Sequence, residues 1–268
     1  MVRRLLSASL VLILTCVVVI QAVPLSSEVI PVRYREGLIH GFLVLSTIEG
    51  EALAYGDLTQ VATNDRVTRR LVFHFKDGSL HDETAIYSQH GHFQVLKYHL
   101  LQKGPAFKHS VDFSVDVSAA RATVQYKDDD GKEKTADEHV DLPPDIADGI
   151  TIPLLESISS NSPQTTVSYV APTPKPRLVK LVITSQGEDS FSFAGCTRKA
   201  THFVVKVDIG GVAGVVAPLI GKQPSDTHVW ILRGEAPAFV KSEGPLYVGG
   251  PIWRIELASP VWPKTPQR

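Results

Sequence analysis

Sulfur is scarce in this chain: among 268 residues there are two cysteines, Cys16 and Cys196, and one methionine. Cys16 lies in an amino-terminal apolar run that reads as a removable signal, which leaves Cys196 alone in the rest. A lone cysteine excludes an internal disulfide and any zinc site built on paired cysteines. An excess of charge is missing as well. Setting aside Arg3 and Arg4 leaves 25 of the 27 basic residues against 28 acidic ones, with no block of either sign. That balance speaks against nucleic acid as a partner, because phosphate backbones are held by clustered cations. Beyond Ala22 no segment is long and apolar enough to span a bilayer as a helix.

What is present begins with "LLSASLVLILTCVVVIQA", preceded by Arg3 and Arg4 and ending on the small residue Ala22. This is the layout of a secretory signal over 1–22, which predicts an exported protein of the bacterial periplasm or cell envelope. Membrane contact is then expected only through that segment. A retained anchor and lipidation of Cys16 are the alternatives, the second weakened by Thr15 where a lipobox wants Gly, Ala or Ser. The 246 residues after Ala22 can bury a sizeable core.

Apolar residues recur at period two in "LIHGFLVLST", "RVTRRLVFHF" and "FQVLKYHLL", and in seven shorter runs through "IWRIELA". Lys76-Asp77-Gly78, His90-Gly91, Asp130-Gly131 and Gln186-Gly187 supply hairpin chemistry between them. The pattern predicts a mainly β protein: a curved antiparallel meander, a half-barrel or open barrel, with one short covering helix. The helix is expected over 143–158, where Pro143 and Pro144 suit a start and Asp145 and Asp148 suit a first turn. Ile146, Ile150, Leu154 and Ile158 fall four apart on one face. The expected division is 23–160 with that helix, a Pro-rich linker over 161–177, and a carboxy-terminal β part over 178–268 that continues the same sheet.

The stretch "LVFHFKDGSLHDETAIYSQHGHFQVLKYHLLQKGP", followed by "LPPDIADG", resembles a family of exported bacterial β-proteins of unknown function. That family is similar to the half-barrel of the periplasmic lipoprotein carriers. The resemblance is best over 38–158 and weaker over the second half, in "GKQP" and "GPIWRIELASP". It implies a fold and a compartment, and no catalytic residues.

Several motifs invite sharper readings. "IGGVAGVVAPLIGKQPSDTHVWI" suggests a phosphate loop, but six residues rather than four separate Gly214 from Gly221, Gln223 follows Lys222, and strands rather than a helix bound it. Those departures exclude nucleotide binding of that type. His90 and His92, with His81, His99, Asp82 and Glu83 nearby, could begin a metal site, yet the expected hairpin tip at Gly91 splays them and no third ligand is specified. "YKDDDGKEK" puts Tyr126 where a calcium loop needs Asp. Cys196 with His202 behind it could form a nucleophile and base. No cofactor or metal is expected.

Large apolar side chains on a curved sheet either fill its concavity or line a cavity for a guest. Phe73, Phe75, Phe93, Tyr98 and Phe113, with Ile146, Ile150 and Leu154 of the covering segment, are the candidate ligand-binding residues. The expectation is a non-enzymatic envelope protein whose partner is a lipid or an acylated protein. The alternatives are a hydrolase using Cys196 and His202 or a histidine-bound metal, and a purely structural or protein-binding module.

Overall fold

The structure, a computed structural model, describes residues 28–128, 130–193, 195–210 and 224–259. The signal segment, the Gly214 to Lys222 motif and Trp262 lie outside the described residues. Among these residues the chain forms strands β1 (Ile39–Thr47), β2 (Ala52–Thr63), β3 (Arg66–Phe75), β4 (Leu80–Ser88), β5 (Gln94–Lys103), β6 (Val111–Asp116), β7 (Arg121–Lys127) and β8 (Glu133–His139). One helix, α1 (Thr151–Ser157), precedes β9 (Thr165–Ala171), β10 (Arg177–Phe193), β11 (Cys196–Asp208), β12 (Thr227–Leu232), β13 (Ala238–Pro245) and β14 (Ile252–Leu257).

All pairings between these strands are antiparallel and form one sheet in the order β8-β7-β6-β5-β4-β3-β2-β1-β14-β13-β12-β11-β10-β9. Two meanders are thus joined where β14 pairs with β1, through Leu43 and Leu257 at one end of the ladder and Thr47 and Trp253 at the other. The end strands β8 and β9 do not pair with each other among the described residues. The sheet nevertheless curls strongly. One hydrophobic cluster joins Tyr98, Phe113 and Val124 of β5–β7 to Val167, Leu181, Phe203 and Ile231 of β9–β12, which belong to opposite wings. A second cluster fills the middle of the sheet, with Leu45, Phe73, Phe75 and Trp253 around Phe107. The fold is therefore mainly β, curved, antiparallel and unclosed, with one short helix.

Inward-facing side chains explain why individual strands form where they do. On β3 the inward set is Val67, Arg69, Leu71, Phe73 and Phe75, facing Gly56 and Ala54 of β2. Gly56 is a packing requirement: a Cβ there would come within 2.5 Å of the Phe73 ring and of the Val72 carbonyl oxygen. The turns at Gly78, Gly91 and Gly131 have positive φ, as tight connections demand. Gln186-Gly187 is different from expectation. It is a bulge inside β10, with a register shift between Ser185 and Glu188, and the chain runs straight on.

The expected helix over 143–158 is corrected to 151–157. Residues 143–150 run as turns and a parallel bridge between Ile146 and Ser168. Asp145 and Asp148 do not cap a helix; their carboxylates accept hydrogen bonds from the Ser168 hydroxyl (2.9 Å) and the Val170 amide (3.0 Å) of β9. Gly149, at φ +71°, then turns the chain into α1. The span 161–177, expected as a linker, contains strand β9 over 165–171, and 172–176 forms the Pro-rich connection to β10.

Candidate functional site

The concave face is occupied by the chain's own segment 145–158. Ile146, Ala147, Ile150, Leu154, Leu155 and Ile158 are all buried against the first cluster. The segment touches both wings. A Cβ on Gly149 would sit 2.7 Å from the Cβ of Ala85 and 2.9 Å from the Tyr98 ring, so on β4 and β5 only a glycine fits. At the other wing Arg233, just beyond β12, donates to the carbonyl oxygens of Glu156 (2.9 Å) and Leu155 (3.1 Å) and to the Thr201 hydroxyl (3.3 Å). These carbonyls close a helix end and have no partner inside α1, so a cation suits them. The amide of Arg33 reaches the Ser157 hydroxyl at 3.4 Å, which brings the amino-terminal strap onto the same segment.

A polar layer lies inside the curl. Gln60, fully buried, donates to Glu36 (2.7 Å) and accepts from Arg69 and the Tyr87 hydroxyl, both at 3.3 Å. Gln89 holds the backbone of Glu36 from both sides. Glu156 of α1 shares a hydrogen bond with Glu36, and burial followed by the Glu36 charge pushes its carboxyl up to about 8, against the opposing field of Arg69. A carboxyl pushed up this far keeps its proton near neutral pH. Asp148 is likewise pushed up to about 8 by burial, with the Glu83 charge adding to it and the Val170 amide opposing it.

Glu83 completes the layer. It lies in the inward row between His81 and Ala85, with 23% of its side chain accessible. Burial works against its charge, but the His81 imidazole 3.5 Å away, together with Arg69 and Tyr98, outweighs it and keeps the carboxyl below its ordinary range. None of Glu36, Gln60, Arg69, Glu156 or Arg233 was singled out by the sequence pattern, and Glu83 was named only beside the candidate metal histidines. The signal that could have found two of them is parity: Arg69 and Glu83 occupy the inward rows of strands whose other inward residues include Val67, Phe73 and Tyr87.

The eight candidate ligand-binding residues are all buried, but in two places. Phe93, Tyr98, Phe113, Ile146, Ile150 and Leu154 belong to the cluster under the α1 segment. Phe73 and Phe75 belong to the other, where Phe75 packs edge-on against Phe107 at 5.4 Å. Cys196 and His202 are not brought together. Cys196 is exposed at the end of β11, paired with Phe193, and six residues of extended strand separate it from His202, about 20 Å. His202 instead stacks on Trp230 (4.3 Å between rings) and meets His228 at 2.9 Å on the convex face, with no nucleophile in contact. His90 is 85% exposed and bonded to Asp65, and among the described residues no group of three or more His, Cys, Asp or Glu could hold a metal. The Asp-rich turn is an ordinary one, in which Asp128 accepts the amides of Asp130 and Lys132.

No family model matches the chain, and no curated protein matches it. Among solved structures it is similar to a β-barrel-like protein of domain of unknown function DUF1849 from Brucella abortus, at 9% identity and a TM-score of 0.43. The match covers 87% of this chain and 98% of that one.

Proposed function

We propose that the chain is an exported envelope protein that binds one long apolar molecule, a lipid or the acyl chain of an acylated protein, without changing it. The guest takes the space that segment 145–158 now fills. One observation carries this reading: the concave face is filled by a segment that is half turn and half short helix, bonded to the rest of the chain at its two ends, through 145–148 to β9 and through 155–157 to Arg33 and Arg233, rather than by a strand of the sheet. Withdrawal of the segment would leave a trough walled by Phe93, Tyr98 and Phe113, with Glu83 and Arg69 at its polar side.

Magnitudes restrict the guest. Exposing Ile146, Ile150, Leu154, Leu155 and Ile158 costs about 1.5–3 kcal/mol each, roughly 10 kcal/mol in all. A buried methylene returns about 0.8 kcal/mol, so a chain of roughly 12 carbons or more is needed to compete. Short ligands are excluded on that ground. The test is saturable uptake of a fluorescent long-chain fatty-acid probe, with a short-chain probe as control. Absence of saturable uptake by the long probe would remove the carrier reading and leave a scaffold role.

A further inference from the structure

The β10–β11 hairpin outruns its neighbours. β9 pairs with β10 only as far as Ile183, and β12 pairs with β11 only from Ala200 onward. From those limits outward, residues 189–193 and 196–200 form a two-stranded ribbon whose pairs are Asp189 with Ala200, Ser190 with Lys199, Phe191 with Arg198, Ser192 with Thr197 and Phe193 with Cys196. Side chains alternate across a ribbon, so Phe193, Cys196, Phe191 and Arg198 share one face. Phe193 is 68% exposed, the most exposed aromatic side chain among the described residues with large exposed hydrophobics, and Phe191 is half-buried.

Charge is sorted along the ribbon as well. Counting about 3.3 Å per pair from the Phe193 end, Arg198 lies about 7 Å back, Lys199 about 10 Å, Asp189 about 13 Å and Glu188 about 17 Å. The cations therefore stand nearest the apolar end. Lys199 leans back to Glu188 (3.3 Å), and Asp189 is drawn down to the sheet by the Trp230 indole (2.7 Å). The polar layer of one bilayer leaflet is about 5–8 Å deep. A ribbon entering end-on would bring Phe193 to the acyl boundary and Arg198 level with the phosphates, while both carboxylates stayed in water.

We propose that the end of this ribbon docks on the surface of an anionic lipid bilayer. The proposal is independent of the carrier reading, because it uses none of the concave-face residues. The test uses the full chain carrying Cys16→Ser, so that the exposed Cys196 alone takes an environment-sensitive NBD label. Vesicles are of phosphatidylcholine alone or with about 30% phosphatidylglycerol. Emission is expected to rise about two- to threefold and shift to the blue with anionic vesicles only, as for a probe moved from water to the acyl boundary. Phe193→Ser should cut apparent affinity about tenfold, and Arg198→Gln should lessen the preference for anionic lipid. A label moved to Glu133→Cys on β8, in the Cys16→Ser, Cys196→Ser background, should stay unresponsive. No response at Cys196, an equal response with both vesicle types, or an equal response at position 133 would each overturn the proposal.

Discussion

Arg233 and Glu156 meet through the backbone: the Arg233 Nη1 donates to the Glu156 carbonyl at 2.9 Å while Nη2 takes the Leu155 carbonyl beside it. One guanidinium thus closes the carboxyl end of α1 and ties the concave-face segment to the second wing. Arg233→Ala should lower stability by about 2–4 kcal/mol, since buried carbonyls lose a charged donor. The same change should speed hydrogen exchange at the amides of Leu154 and Ile158, which bond within this turn, and quicken uptake of a long-chain probe. Denaturant melts and exchange mass spectrometry read the first two effects. Unaltered exchange at Leu154 would show that Arg233 does not restrain the segment.

Stability should fall as pH rises from about 5 to 8. Glu156 and Asp148, each pushed up to about 8 in the folded chain, bind protons there that the unfolded chain has released by about pH 5. Their contribution is fully present below about pH 4 and is lost as pH climbs through about 8. His202, held below its usual range by burial and then by His228, works the other way beneath about pH 6.5, so the fall should be steepest around pH 7 and lessen toward pH 8. Glu156→Gln should raise the melting temperature at pH 8 and flatten this slope, by about 2–4 kcal/mol between the two ends. A wild-type melting temperature that climbs from pH 7 to 8 would contradict the assignment.

Gly149→Ala should be among the most damaging single changes. The residue has φ +71°, and the added methyl meets Ala85 and the Tyr98 ring inside 3 Å. Left-handed backbone costs about 1–2 kcal/mol for an ordinary residue and overpacking about 1–3 more. Gly187→Ala offers the comparison: its φ is +101°, but a Cβ there meets nothing within 4 Å. Equal melting temperatures for the two variants would show that the clash with the first wing is relieved by movement of the segment.

The strands that were legible in the sequence are those whose apolar inward residues outnumber a single polar one, such as Arg66–Phe75 with Arg69 and Gln94–Lys103 with Gln102. β2 was hidden because its inward row contains Gly56 and Gln60 while Tyr55 faces solvent at 57% exposure. β4 was hidden because His81 and Glu83 point inward. In both strands the polar layer itself erased the alternation, so the residues that distinguish the interior are the ones that obscured the fold. The helix was overextended for a related reason. Asp145 and Asp148 look like first-turn acids in sequence, but their carboxylates bond across to β9, a contact 22 or 23 residues away that no local pattern contains.

Ile150 separates two roles for the concave-face segment. Its side chain is fully buried at the start of α1, beneath the first wing. If the segment is a filler that a guest displaces, Ile150→Ala weakens the filler without touching the trough. Stability should drop by about 2–5 kcal/mol, and that loss should appear as binding of a long-chain probe tighter by about 30-fold or more, because withdrawal of the segment becomes cheaper. If the segment instead stays in place and its inner face contacts the guest, the same truncation removes contact area and binding weakens. Titration of probe into wild type and Ile150→Ala, each confirmed folded by near-ultraviolet circular dichroism, distinguishes these by sign. Phe113→Leu provides the internal reference: Phe113 belongs to the wall in either case, so its truncation should weaken binding while Ile150→Ala strengthens it. Weakening by both variants would exclude displacement of the segment as the route by which a guest enters.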